Sequence, residues 1–397
     1  MQLSKQETSN DLISQPPEIK RQMFANSQFS ANVYATESDV WVGHYFQLNI
    51  VPAIHQINPN VICLLYRNIR LVWAPGSFEY NESEYDLFVR NDWILRGSSG
   101  EYVNVKGEAY MVDVGNPSFQ TWLANLLKNY IDTYQANGVF LDNCFPNDEI
   151  AYSLSEWPIN PRTERGWLSD DFTKAVTDLV NRAKDTISPK LVVGNTILTG
   201  THFFREDLHE SFVNFLTGSK IDGVLSELWI SSYSTADWYS ETEWKQGVDM
   251  AVWIETNFLS KGNKIFWTMS DNAGVIWPEG HVLLPSGVTS EQYVTYCYAS
   301  RLLAVNHTGN WLNFGLYTPE DYPQKLFKID IGYPSSAYYH NDNLYLREFS
   351  GGLVIVNPTY SNQSVALNGV YRNAVEGDTV SSYLTVPPHV GIILEKA

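Results

Sequence analysis

Two short apolar runs in this sequence each finish on an acid. "GVFLDN" at residues 138–143 carries Asp142, and "IDGVLSELW" at 221–229 carries Glu227. A carboxylate ending a buried run is costly unless it faces a polar or wet pocket. Two such acids converging on one pocket have a defined use in glycosidic chemistry: one attacks or stabilises an oxocarbenium-like centre, while the other donates a proton to the leaving oxygen. The plainer alternative is that an Asp at a strand end caps the following helix or bonds a loop amide. For either acid alone the two readings weigh equally; for a pair on alternate strands the chemical one gains.

Positioning them requires a sheet whose strands all end at one face. Short β-branched or aromatic runs alternate along the chain with amphipathic segments of helical length, the pattern of a parallel α/β protein. Strands are expected at "FSANVYA", "NVICLLYRN", "AYMVDV", "GVFLDN", "KLVVGNTI", "IDGVLSELW", "KIFWTMSDN" and "NWLNFGLY". Helices are expected at "VWVGHYFQLNIVPAIHQI", "NPSFQTWLANLLKNYIDTYQ", "SDDFTKAVTDLVNRAKDTI", "HESFVNFL", "TEWKQGVDMAVWIETNFLSKG" and "SEQYVTYCYASRLLAVN". In the second of these, Asn116 is the expected N-cap and Pro117 the first helical residue, with Phe119, Leu123 and Leu127 on one apolar stripe. Eight strand–helix repeats predict a (β/α)8 TIM barrel, whose catalytic groups sit at the carboxyl ends of the strands. The rival, a doubly wound open sheet, lacks its Gly-rich phosphate loop here.

After about residue 340 the helical period disappears. "LYLREF", "GLVIVNP", "QSVALN" and "VGIILE" read as short strands separated by turn residues. The expected division is a polar leader at 1–28, a catalytic barrel at 29–338 and a small C-terminal all-β domain, β-sandwich-like, at 339–397.

Polar residues at the other strand ends converge on the same pocket, as orientation of a hydroxyl-rich ligand requires. Tyr66, Arg67 and Asn68 close one strand, Asp113 another, Asn195 and Thr196 a third, and Asp271 and Asn272 a fourth. Asp271 is the main rival to Glu227 as second carboxylate. Arg67 has an equally good structural use as an ion pair with Asp113. Trp73, Trp229, Tyr233, Trp238 and Trp267 lie on or just after strand ends, where an indole or phenol ring can stack on a sugar face. Trp122 and Trp253 fall on helix stripes and are assigned to the core, whereas Trp238 and Trp244 suit helix-start packing equally well.

Composition removes several classes. The chain of 397 residues has a formal net charge of −18 and no basic run, which excludes nucleic acid as a partner. No stretch approaches 18 continuous apolar residues, so no membrane span is expected. The opening segment lacks the apolar core of a signal peptide. The acidic composition suits an extracellular enzyme without requiring one. Three cysteines, Cys63, Cys144 and Cys297, are too few and too widely spaced for a disulfide framework or a zinc site, and Cys63 and Cys297 read as core residues. No cofactor is expected. Oxygen ligation of a metal by Asp113, Asp142 and Glu227 is the weakest reading, with no histidine near them.

The stretch "VGNPSFQTWLANLLKNYIDTYQANGVFLDN", then "IDGVLSELW", and later "LYLREFSGGLVIVNPTYSN" with "VPPHVGIIL", resembles the TIM-barrel glycosyl hydrolases related to the endo-α-1,4-polygalactosaminidase-like enzymes. The resemblance runs from about Cys63 to the C-terminus. It implies Asp142 as nucleophile or charge stabiliser and Glu227 as general acid/base, with Tyr66, Arg67, Asp113, Asn195, Trp229, Trp267 and Asp271 contacting a carbohydrate substrate. Asn137 stands where that family often has Asp; it precedes the strand and belongs to the turn. The expected activity is glycoside hydrolysis with retention of configuration. The competing class is a carbohydrate-binding protein on the same scaffold without catalysis. Sugar identity, endo or exo action and oligomeric state are left open by the sequence.

Overall fold

The computed structural model describes residues 19–24, 30–77, 80–147, 153–230, 238–270, 288–313 and 325–397. Eight parallel strands close a barrel: β1 (Ile19–Phe24), β2 (Val40–His44), β3 (Ile62–Asn68), β4 (Gly138–Asp142), β5 (Leu191–Ile197), β6 (Gly223–Ser226), β7 (Ile265–Met269) and β8 (Asn310–Asn313). They follow one another round the barrel in chain order, and β8 pairs with β1 to close it.

Alternation explains what fills it. Every second side chain of a strand points inward, and Val40, Val42, Leu64, Phe140, Val193, Leu225, Trp267 and Trp311 form one dry cluster along the axis. The intervening residues face the helices and join the large outer core. Glycine starts two strands because neighbouring strands press against it. A Cβ on Gly138 would lie 2.3 Å from the Leu191 carbonyl oxygen, and one on Gly223 would lie 2.7 Å from Ile265 Cβ.

The helix Pro117–Tyr134 starts as expected, with Asn116 accepting from the amides of Ser118 at 3.0 Å and Phe119 at 3.3 Å. Phe119, Leu123 and Leu127 are buried along its inner face. The helices Ser169–Ile187, His209–Gly218, Glu241–Asn257 and Ser290–Leu302 also fall where periodicity put them.

The first third of the chain departs from expectation. "FSANVYA" is not a strand: Ala31–Glu37 is a short helix entered through Ser30. The first strand is Ile19–Phe24, inside the segment expected to be a leader. The stretch expected as one helix at 40–57 is instead strand β2, a 3-10 turn at Tyr45–Ile50 and the helix Val51–Ile57. "AYMVDV" is no barrel strand either. Ala109–Met111 is the middle of a small antiparallel sheet with Leu71–Trp73 and Asn104–Val105, in the excursion between β3 and β4. The misplacements cancel in the count, so Asp142 still ends the fourth barrel strand and Glu227 still follows the sixth.

The C-terminal domain is one six-stranded antiparallel sheet in place of the expected sandwich, in the order β9-β10-β11-β14-β12-β13. Its strands are β9 (Tyr339–Asn341), β10 (Leu344–Phe349), β11 (Gly352–Asn357), β12 (Gln363–Asn373), β13 (Thr379–Val386) and β14 (Val390–Lys396). Tyr345, Phe349, Val354, Val356 and Ile393 join the core shared with the barrel, while Leu344, Leu346, Leu353, Ile355 and Leu394 form a separate apolar cluster. No helix among the described residues is long and apolar enough to cross a membrane.

Candidate active site

The inward alternation that fills the barrel axis also builds its mouth. Two residues beyond Val42, Leu64, Phe140, Val193 and Leu225 come His44, Tyr66, Asp142, Asn195 and Glu227, on five consecutive strands or just past them. The layer below is apolar and the layer above is polar. At β5 the pairing with β6 shifts register between Asn195 and Ile197, an irregularity of the kind that re-aims a side chain beside an active site. Backbone bonds fix the approach to Glu227: its amide donates to the Ile197 carbonyl at 3.0 Å and that of Leu228 to Leu198 at 2.8 Å.

Asn195 joins the two acids. Its Nδ2 donates to Asp142 Oδ1 at 3.0 Å and to Glu227 Oε2 at 2.8 Å, so the two oxygens lie within about 6 Å of each other. The second oxygen of Asp142 is also well supplied. Tyr66 Oη donates to Oδ2 at 2.6 Å, with Asn143 Nδ2 at 3.3 Å and Asn68 Nδ2 at 3.4 Å. Each donor is itself held. Asn68 Oδ1 accepts the amides of Arg70 and Leu71, both at 3.0 Å, which turns its Nδ2 end toward Asp142. Asn143 adopts φ 54°, a left-handed conformation that Asn tolerates better than most residues. An acceptor surrounded this way has its rotamer fixed before any ligand arrives, the preorganisation that charge-stabilising sites rely on.

His44 stands beside this group with its ring 4.2 Å from that of Tyr66. Burial, and then the positive charge of Arg67, lower its pKa to about 4, so it is a neutral imidazole at neutral pH. The arrangement thus offers two carboxylates across a short gap, a neutral amide between them and a phenol behind one of them. It can deliver a nucleophile or charge stabiliser on one side and a proton donor on the other.

Several expected contacts do not belong to this mouth. Arg67 follows the opposite alternation and turns outward, where Glu84 of the helix Glu82–Arg90 meets both of its guanidinium ends. Asp113 lies in the excursion and forms a two-pronged pair with Arg162 at 2.8 and 2.9 Å. The expected Arg67–Asp113 pair is therefore replaced by two separate pairs, and Asp113 is buried away from substrate. Trp229 is fully buried, its indole N–H donating to the Gly247 carbonyl at 2.9 Å. Trp267 fills the barrel axis, 5.0 Å from Phe140 between ring centroids. Neither indole presents a face to a sugar. Trp238 stacks on His389 at 4.9 Å, Trp244 is buried, and Trp73 is half-buried at the rim. Asp271, Asn272 and Tyr233 lie outside the described residues. His44 and Asn143 were missed. The signal for His44 was present in the Val40, Val42, His44 alternation, hidden by the expectation of a helix there. Among the described residues no three His, Cys, Asp or Glu side chains are grouped to hold a metal ion.

Several solved structures share this architecture. A maltogenic α-amylase from Thermotoga neapolitana superposes with a TM-score of 0.53 at 11% identity, over 94% of this chain and 98% of its own. An Anoxybacillus α-amylase gives 0.55 at 11%, over 95% and 98%. A Bacillus licheniformis trehalose-6-phosphate hydrolase gives 0.54 at 10%, over 97% and 100%. At such identities the likeness shows the fold. Among curated proteins none matches the sequence. Residues 55–353 match the family described as "Hypothetical glycosyl hydrolase family 15". That match covers most of the chain, including both strand-end carboxylates, and by it the protein belongs to this glycosyl hydrolase family and is a glycosidase.

Proposed function

We propose that the protein hydrolyses a glycosidic bond within an oligosaccharide or polysaccharide by a retaining mechanism, with Asp142 as nucleophile and Glu227 as general acid and then base. The observation that carries this reading is the single Asn195 amide donating to both acids. A gap of about 6 Å or less fits the about 5–5.5 Å of retaining enzymes better than the about 6.5–9.5 Å that admits a water in inverting ones. Roles follow from the surroundings. Asp142 accepts from four side chains and is presented as an acceptor at both oxygens, which suits a group that must carry charge and attack. Glu227, reached by the same Asn195 from the other side, is left to donate to the leaving oxygen. In the first half-reaction Asp142 bonds to the anomeric carbon as the leaving oxygen takes the proton of Glu227. In the second, Glu227 takes a proton from water as that water displaces Asp142. Kinship with the polygalactosaminidase-like enzymes, suggested by "GVFLDN" and "IDGVLSELW", forms part of the same proposal.

Asp142→Asn should lower kcat by at least roughly 10³-fold on a substrate that the wild type cleaves, while leaving the melting temperature unchanged. Proton NMR of the first-formed product anomer checks retention. An Asp142→Asn variant with wild-type turnover removes the assignment, and an inverted product removes the mechanism.

A further inference from the structure

Beside the carboxylate pair, over the ends of β2 and β3, lies a cleft of about 250 Å³. It is continuous with the site, because Tyr66 and Asn68, both donors to Asp142, also form part of its wall. The cleft therefore opens on the Asp142 side of the pair, away from Glu227.

Its lining is aromatic and electrically balanced. Phe46 is 62% exposed, an unusual position for a phenylalanine, and its ring is held nearly parallel to His44 at 5.2 Å and 18°. Trp73 lines the same space. The two ionised side chains in the wall, Arg67 and Glu84, face each other and neutralise one another. His44 adds no charge at neutral pH, since burial and Arg67 hold its pKa near 4. A flat apolar ring beside amides and phenols, with no unmatched charge, suits a sugar ring that offers CH groups on one face and hydroxyls at its edge. A negatively charged unit would find no free cation here and would meet a protein of net charge −18. A volume this size is below the about 300–1,000 Å³ of pockets for drug-sized ligands, which leaves room for about one ring.

We infer that this cleft is a subsite for one uncharged pyranose unit of the substrate, on the glycone side of the scissile bond, with Phe46 as its stacking platform. The inference rests on the proposed hydrolase roles, since they define which side is the glycone.

The test uses the full chain carrying Asp142→Asn, with and without Phe46→Ala, titrated calorimetrically with neutral hexasaccharides (gluco-, manno- and galacto-configured). Hexagalacturonate and a glucosamine hexamer are the charged comparators. Phe46 is exposed, so its replacement leaves the fold intact, and the melting temperature checks this. At least one neutral hexasaccharide should bind, roughly tenfold or more weakly once Phe46 is removed, a loss of the size expected for an aromatic stacking contact. The charged hexamers should bind more weakly than the neutral one. Equal affinity with and without Phe46, tighter binding of a charged hexamer, or no binding of any neutral hexasaccharide overturns the inference. Wild-type hydrolysis is scored separately. Cleavage with Phe46-independent binding removes the cleft and keeps the hydrolase roles, whereas Phe46-dependent binding without cleavage does the reverse.

Discussion

At the scale of single residues, Asn195 holds the site together. It is 3% exposed, and its one amide nitrogen restrains two acids that would otherwise repel at short range. Asn195→Ala removes a charge-assisted bond from each acid. Bonds to charged groups contribute about 1.5–3 kcal/mol each, so kcat should fall roughly 10- to 100-fold with a smaller change in KM. Steady-state kinetics on any substrate the wild type cleaves checks this, and an unchanged kcat would show that the shared amide has no part in the chemistry. The outer residues obey the same parity. Arg67 lies one position from Tyr66 and Asn68, and that single step carries it to the opposite side of the sheet, toward Glu84.

At the scale of elements, the two motifs at β4 and β6 are built alike for a mechanical reason. Asn137 Oδ1 accepts the Cys63 amide at 2.8 Å, and Asp222 Oδ2 accepts the Val192 amide at 2.8 Å. Each residue thus clasps its strand to the preceding one at the bottom of the barrel, with the adjoining glycine permitting close approach. Asn does here what Asp does at the other strand, because only an acceptor oxygen is needed. A different element joins the two domains. Arg347 on β10 is 2% exposed and donates to the carbonyls of Leu302 and Leu303 at 3.0 Å and Val305 at 2.9 Å, at the end of the helix Ser290–Leu302. Helix C-termini leave such carbonyls without partners, and a guanidinium from the sheet supplies the donors. Burial lowers the Arg347 pKa to about 10, which still leaves it charged at neutral pH. Arg347→Met keeps the stem but strips the carbonyls, so stability should drop on the order of 2–4 kcal/mol. Urea denaturation measures the loss; a midpoint equal to the wild type would show the clasp to be dispensable.

Across the whole molecule, two histidines tie stability to pH. His389 is 5% exposed, packed between Trp238 and Tyr360 where the sheet meets the barrel, and burial lowers its pKa to about 4. His44 is lowered to about 4 as well. A histidine with a depressed folded-state pKa takes up its proton more readily after unfolding, so ΔG of unfolding rises with pH wherever that difference holds. The contribution of each is complete above about pH 6.5 and diminishes as pH falls toward 4, at no more than about 1.4 kcal/mol per pH unit per proton. The melting temperature should accordingly decline from pH 7 to pH 4.5. It should decline less steeply in His389→Asn, a residue that accepts the φ of 51° found there. Parallel declines in the two proteins would remove His389 from the account.

What the sequence could determine by itself was whatever depends on local period and local chemistry. The Asn-Pro start of the helix Pro117–Tyr134, the stripe along it, the apolar β5 and β7, and the acids at 142 and 227 are all properties of neighbouring residues, and each lies where the pattern put it. The first 57 residues were misread because "VWVGH" and "YFQLNI" are apolar without a break, and a continuous apolar run has no period to separate a strand from a buried helix. The identity of partners was beyond reach for a different reason. Asp113 meets Arg162, Arg67 meets Glu84, and Asn195 spans two acids from a strand between theirs. Trp267 and Trp229 carry the residue type of a sugar platform, yet barrel closure puts one on the axis and the other beneath a helix. Such pairings join residues far apart along the chain and depend on barrel order and strand stagger, so only the folded arrangement decides them.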